Sequence, residues 1–388
     1  VSVTAAKGFR AAGVAAGIKQ SGGRDLALVV NDGPDATAAG VFTRNRVKAA
    51  PVQWSQRVLR GGVVRAVVLN SGGANACTGA AGLKDARSTA ERAWSRLSGG
   101  RLMFSPAEVA VCSTGLIGEP LPMSAVLSGV DGAARALTRD GGADAAEAIM
   151  TTDTRPKTVT ITGDGYTVGG MAKGAGMLAP ALATMLCVLT TDAVADSDTL
   201  DHALRTATAA TFDRIDSDGC TSTNDTVLLL ASGASGVAPE PEELAEVVAA
   251  ACADLAHQLL RDAEGATKHI GVRVAGAASE AEALGAARAV ARNNLVKTAL
   301  YGNDPNWGRI LAALGTAEAV FDPDAVDVSV NGVAVCRGGA AGEDRGKVDL
   351  SGTEVAVEVH LHAGTAEATV WTTDLSVAYV HENSAYST

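Results

Sequence analysis

Aromatic residues are scarce. Phe, Trp and Tyr together make up 3% of 388 residues, which leaves few platforms on which nucleobases could stack. Lys and Arg total 32 against 43 Asp and Glu, a formal charge of −11, and no basic block stands out. Nucleic acid is therefore not an expected partner. No apolar run reaches the length that spans a bilayer, so no membrane role is expected either. The stretch 11–18, which follows Lys7 and Arg10, is rich in Ala and Gly and makes a poor signal-peptide core. The six cysteines (77, 112, 187, 220, 252 and 336) form no Cys-x-x-Cys pair. They read as reduced, buried small hydrophobes of a cytoplasmic protein.

Several catalytic and binding motifs are missing too. There is no Gly-x-Ser-x-Gly elbow and no Gly-x-Gly-x-x-Gly dinucleotide fingerprint. Residues 342–347 resemble a phosphate-binding loop, but one residue is lacking and Val348 stands where a hydroxyl should hold magnesium. Residues 214–219 look like half an EF-hand, with Arg214 at the first ligand position and Asp225 in place of the bidentate Glu. His360 and His362 alternate within an expected strand and share a face; with no third ligand nearby, an exposed strand face is the better reading. No metal site is expected.

What the chain does have is a core of Ala, Val and Leu (47% hydrophobic overall) and 44 glycines that mark many tight turns. Short β-branched runs bounded by Gly or Asp predict strands at 26–31, 63–70, 108–113, 157–162, 184–191, 225–230 and 269–274. Helical periodicity covers 83–98, 124–137, 198–211 and 240–263, and a Ser279/Glu282 capping box opens a helix to 291. A Gly- and Pro-broken segment follows at 301–308, then a strand-rich stretch from 326 to 371. A layered α/β or α+β domain over 1–275, followed by a smaller α+β domain over 276–388, is expected.

The chemistry gathers at Thr184. It ends the Gly-rich run from Gly170, which passes through Lys173, Gly174, Gly176 and Pro180, and it opens an apolar strand. A hydroxyl there can attack the preceding carbonyl. Breaking the Ala183–Thr184 bond would give Thr184 a free α-amine beside its own hydroxyl, a nucleophile with a built-in base. That amine, with an ordinary pKa of about 7.7–8.0, can take the hydroxyl proton near neutral pH. Ser113-Thr114-Gly115 follows a strand and offers a hydroxyl beside unhindered amides, which serves either as an oxyanion site or as a plain turn. Asn70 to Asn75 could cradle an anion or form a structural turn. Lys173 alone reads as a solvated loop lysine. Glu264 is a carboxylate at a helix C-terminus, mildly unfavourable there and so a hint of another task.

Together these segments resemble the ornithine acetyltransferase family, also called glutamate N-acetyltransferase or ArgJ. The resemblance rests on Lys173-Gly-Ala-Gly-Met-Leu-Ala-Pro180 leading to Ala183-Thr184, Ser113-Thr-Gly-Leu-Ile-Gly118, Met150-Thr-Thr-Asp153 and Asn70-Ser-Gly-Gly-Ala-Asn75. It rests also on Asp262-Ala-Glu-Gly-Ala-Thr-Lys268, Val296-Lys-Thr298, Asp304-Pro-Asn-Trp-Gly-Arg309 and Glu382-Asn-Ser-Ala-Tyr386. One departure is Gly73, where many relatives carry Asn.

The resemblance implies a precursor that cuts itself between Ala183 and Thr184, and an αββα sandwich of the D-aminopeptidase type. It implies acetyl transfer from N2-acetylornithine to glutamate through an acetyl-Thr184 ester, in arginine biosynthesis. Thr184 is then the nucleophile, and Thr114 and Gly115 are the oxyanion donors. Thr151, Lys173, Thr184, Glu264, Asn383 and Thr388 bind substrate, with the shared α-carboxylate on Lys173. No cofactor is implied, although acetyl-CoA is an alternative acetyl donor. The two fragments are expected to assemble as a heterotetramer or higher. Two other classes stay open: an amidase or aminopeptidase whose acyl-enzyme is resolved by water, and an uncleaved binding protein.

Overall fold

The computed structural model describes residues 2–98, 103–177 and 185–385. In chain order the first part runs β1 (Phe9–Val14), β2 (Leu26–Asn31), β3 (Thr37–Phe42), α1 (Ala50–Val58), β4 (Ala66–Asn70), α2 (Gly79–Leu97) and β5 (Val109–Ser113). Then come α3 (Met123–Ala136), α4 (Gly142–Ala148), β6 (Lys157–Thr162), β7 (Thr167–Lys173), β8 (Leu186–Thr191), α5 (Ser197–Ala210), β9 (Thr226–Ala231) and α6 (Pro241–Leu260). The last part holds β10 (His269–Ala277), α7 (Glu280–Ala291), α8 (Asn294–Tyr301), α9 (Trp307–Leu314) and β11 (Asp327–Val330). It ends with β12 (Val333–Arg337), β13 (Ala340–Ala341), β14 (Glu354–His360), β15 (Ala366–Thr373) and α10 (Val377–Ala385).

Three sheets result. The first has the order β1-β2-β4-β5 and the second β3-β9-β8-β7-β6. They stack face to face, with Val29 and Leu69 of one meeting Met171, Val188 and Leu228 of the other. Residues one step along point outward, as the period of two requires. Leu28 and Val68 pack under Ala90 and Ala93 of α2 and Val126 and Val130 of α3. Leu189 and Leu229 pack under Leu200 and Leu204 of α5 and Leu255 of α6. The result is an αββα sandwich. With both faces of each sheet covered, β2, β4, β5, β8 and β9 are buried along their whole length. Each large aliphatic side chain so placed contributes about 1.5–3 kcal/mol.

The third sheet has the order β13-β12-β11-β14-β10-β15; α7 and α9 cover one face, and on the other Trp371 of β15 packs against His257 of α6. On β14, Val355, Val357 and Val359 are accordingly buried while the residues between them are exposed. The chain enters this sheet at His269, so the expected division at 275/276 falls inside β10. A register shift lies there between Val274 and Ala277, with Gly276 at φ +70°.

Other expectations are corrected in detail. β7 occupies part of what reads as Gly-rich loop, and α8 and α9 flank the broken segment near 301–308. Cys77 and Cys220 are exposed, while the other four cysteines are buried. β14 stops at His360, and His362 has φ +53°, so the two histidines do not alternate along a strand. Their rings lie 3.9 Å apart, and His362 Nε2 lies 2.9 Å from Asp327 Oδ2. No helix among the described residues is long and apolar enough to cross a membrane.

Candidate active site

The ends of β4, β5 and β7 bring the first expected residues together. β4 and β5 pair in parallel, which sets Asn70 opposite Ser113, and Ser113 Oγ donates to Asn70 Oδ1 at 2.6 Å. The turn after β4 then clasps the loop after β5. Gly73 N–H donates to Thr114 O at 3.0 Å, and Ala74 N–H to Leu116 O at 2.9 Å. With Ser71 N–H also engaged, on Asp25 O at 2.9 Å, this turn has three amides bonded within the fold. It is a structural support for the loop carrying Thr114 and Gly115.

Thr114 is buried, and its N–H is committed to Asn70 O at 3.0 Å, so only its hydroxyl is left to serve a ligand. Gly115 has φ +128°, and a Cβ there would lie 2.5 Å from Gly73 N; no other residue fits. Its own N–H makes no hydrogen bond among the described residues. One hydroxyl and one adjacent free amide is the donor pair an oxyanion site requires.

Lys173 closes β7. It is 1% exposed, far from the solvated lysine its isolated sequence suggests, and its Nζ donates to Thr114 Oγ1 at 3.1 Å. Burial pushes the Lys173 pKa down; the charge of Asp153 opposes this, Lys157 adds to it, and Asp225 and Glu264 oppose it more weakly. Asp153 lies at the centre of this group. Its Oδ2 accepts the Thr151 N–H at 2.9 Å, and its Oδ1 accepts the Gly174 N–H at 2.7 Å and Lys157 Nζ at 2.5 Å. Burial alone would raise the Asp153 pKa, but the charges of Lys173 and Lys157 hold it at about 2.

Glu264 stands beyond α6, which stops at Leu260, so the helix-end argument for it does not apply. Its N–H donates to Ala175 O at 2.9 Å, tying this loop to the segment after β7. Its Oε1 accepts Thr152 Oγ1 at 2.7 Å, and its Oε2 accepts Asn383 Nδ2 of α10 at 3.0 Å. α10 lies close enough that a Cβ on Gly265 would come within 2.2 Å of Tyr379 N. Thr152, Thr154, Asp262, Glu264 and Asn383 line a cavity of about 490 Å³. A hollow of about 580 Å³ beside Gly40, Arg60 and Arg205 on the edge of the second sheet holds none of the expected residues.

Of the expected residues, Thr114, Gly115, Thr151, Lys173, Glu264 and Asn383 thus belong to one connected network. Ala183, Thr184 and Thr388 lie outside the described residues. Met185, which follows Thr184 in sequence, donates its N–H to Asp225 Oδ1 at 3.1 Å. Asp225 is fully buried, and burial raises its pKa well above the ordinary carboxylate range against the opposing hydrogen bonds of the Met185 N–H and the Ser222 hydroxyl. Sequence reasoning assigned no role to Asp153, Lys157 or Asp225. The one available signal was Asp153 and Lys157 at i, i+4, a spacing usually read as a surface pair.

Residues 10–388 match the model of the ArgJ family. The arginine biosynthesis bifunctional protein ArgJ of Thermobifida fusca is 63% identical over 388 residues, covering 100% of both chains. That of Mycobacterium leprae is 61% identical, covering 99% of this chain and 95% of its own. Among solved structures, ornithine acetyltransferase complexed with ornithine from Mycobacterium tuberculosis shares 62% identity, covering 46% of this chain and 94% of its own at a TM-score of 0.46. Matched by its family model almost from end to end and by a relative of equal extent, the chain belongs to the ArgJ family.

Proposed function

We propose that this chain is an acetyltransferase of arginine biosynthesis that moves acetyl from N2-acetyl-L-ornithine to L-glutamate through an acetyl ester on Thr184. The observation that carries the reading is the Thr114 hydroxyl, bonded to Lys173 at 3.1 Å, beside the Gly115 N–H, which makes no hydrogen bond among the described residues. Self-cleavage between Ala183 and Thr184 frees the α-amine of Thr184, which takes the proton from its own hydroxyl. The alkoxide attacks the acetyl carbonyl, and the oxyanion is met by the Thr114 O–H and the Gly115 N–H. One such donor is worth about 2.7–4 kcal/mol in the transition state. Because Lys173 donates to Thr114 Oγ1, the Thr114 proton is directed away from Lys173. The N2 amine of ornithine leaves with the proton held by the Thr184 amine. Glutamate then enters, its amine attacks the ester, and Thr184 regains its hydroxyl proton.

Lys173, Thr151, Glu264, Asn383 and Thr388 bind the substrates, with the α-carboxylate common to both facing the Lys173 charge. The cut fragments remain paired and assemble further as a heterotetramer in the cytoplasm. The chemistry needs no cofactor, and acetyl-CoA is an alternative donor to the same hydroxyl.

The test is intact-mass measurement of the purified protein after incubation with N2-acetylornithine alone. Two fragments, with one acetyl group only on the piece that begins at Thr184, are expected. Two fragments without acetylation, or release of free acetate in place of acetylglutamate when glutamate is added, would point to an amidase. A single uncut chain would sink the reading.

A further inference from the structure

Asp153 has no task in this scheme, yet its contacts converge on the residues that do. Its side chain is 0% exposed, and both oxygens are occupied: Oδ1 by Lys157 Nζ and the Gly174 N–H, Oδ2 by the Thr151 N–H. Gly174 follows Lys173 directly, and Thr151 is an expected substrate contact. Lys157 Nζ also meets Asp262 Oδ2 at 2.5 Å, and Asp262 accepts both the N–H and the hydroxyl of Thr154. The loop 151–154 is thereby fastened at both ends, on one side to β7 and on the other to the segment that carries Glu264.

The charges point the same way. Two lysines, 157 and 173, are buried with two carboxylates, Asp153 and Asp262. The other charges felt by Lys173 are Lys157, Asp225 and Glu264. Asp225 is driven towards its neutral form by burial, and Glu264 is already engaged by Thr152 and Asn383. Asp153 is left as the principal counter-charge.

We propose that Asp153 is a positioning residue for acetyl transfer: its buried carboxylate, clamped by Lys157 and the amides of Thr151 and Gly174, holds Lys173 in register with Thr114 and keeps its ammonium charged. The inference rests on the acetyl-transfer reading for its kinetic consequence, but not for its effect on Lys173 itself. A buried ammonium deprived of its counter-charge loses its proton at lower pH.

The experiment compares kcat/KM for N2-acetylornithine against pH in processed wild type, Asp153→Asn, Asp153→Glu and Asp262→Asn. In parallel, the titration of Lys173 is followed by the NMR signal of its ε-carbon, assigned through Lys173→Arg. Asp153→Asn should move the alkaline limb and the Lys173 titration to lower pH, so that the loss in kcat/KM grows as pH rises and reaches about tenfold on the alkaline side for each pH unit of displacement. Asp153→Glu and Asp262→Asn should keep the wild-type limb, the first with lower turnover and the second with lower thermal stability. A limb in Asp153→Asn that stays put beneath a pH-independent loss overturns the proposal, as does an equal displacement in Asp262→Asn. If Asp153→Asn does not fold, Asp153→Glu decides: a displaced limb counts against the proposal and an unmoved one for it. A wild type without acetyl exchange would defeat the functional reading alone, because the Lys173 titration needs no turnover and still tests the charge argument.

Discussion

Thr152 Oγ1 donates to Glu264 Oε1 at 2.7 Å, joining two loops that lie 112 residues apart in the chain. Glu264 holds Asn383 with its other oxygen, so this one hydroxyl orients the carboxylate on which α10 rests. Thr152→Val, similar in shape but without the donor, frees Oε1 to turn towards the cavity and be met by water, so the loss falls on the carboxylate's orientation more than on the fold. We expect KM for acetylornithine to rise about tenfold, with turnover and melting temperature changing little. An unchanged KM would show that the hydrogen bond does not order the site.

Gly115→Ala tests the oxyanion geometry. The added Cβ would stand 2.5 Å from Gly73 N and 2.6 Å from Gly72 C, at φ +128°, where backbone cannot yield cheaply. Strain and overlap should cost about 2–4 kcal/mol. The expected result is a lower melting temperature together with loss of acetyl-Thr184 in the intact-mass measurement. Full acetylation by a destabilised variant would separate the fold from the chemistry and count against Gly115 as a donor.

Lys157→Met leaves Asp153 and Asp262 facing each other without the ammonium that joins them, each having been 2.5 Å from Nζ. Removing one partner from a buried ion cluster typically costs about 3–5 kcal/mol. Adding Asp262→Asn should recover a large part of that loss, since one of the two stranded charges is gone. Equal, additive losses in thermal unfolding would contradict the idea of a shared cluster.

Asp225 gives a prediction of the opposite sign. Burial raises its pKa, so the folded state holds this proton more tightly than the unfolded one. Its contribution is therefore most favourable below the ordinary carboxylate pKa and worsens as pH rises from there to the raised pKa of the folded state. Asp225→Asn keeps an acceptor for the Met185 N–H and removes the titration. At pH 8 the variant should melt above wild type by about 2–4 °C for each kcal/mol relieved. The difference should vanish near pH 3, and a constant difference across pH would show that Asp225 does not titrate with folding.

How much of this was legible beforehand depended on where glycine sits. The stretches 26–31 and 157–162 read as strands and are strands. β7 reads as loop because of Gly169 and Gly170, yet both are demanded by packing. A Cβ at 169 would lie 2.2 Å from Ser2 O, and one at 170 would lie 2.6 Å from Leu189 Cδ2. Composition marks such glycines as flexible, whereas here the first admits the N-terminal turn and the second the side chain of its cross-strand partner Leu189. α8 and α9 escaped notice because each is eight residues long, and their apolar faces pair only within the folded C-terminal layer. In the site, Thr114, Lys173, Glu264 and Asn383 lay within contiguous motifs. The bond of Lys157 to Asp262 spans 105 residues, and no local pattern announces it.

The order of strands in the second sheet has a last consequence. β8 and β9, which follow Thr184, are flanked by β7 on one side and β3 on the other, both of which precede it. Cutting the chain before Thr184 would leave every rung of that ladder in place while dividing its ownership between two polypeptides. Before the cut, unfolding is an event within one molecule and can reverse itself at any dilution. Afterwards, recovery requires two strangers to meet, and becomes slower the more thinly they are spread. The maturation step would therefore make the fold a one-way inheritance: assembled once as a single chain, and afterwards kept rather than remade.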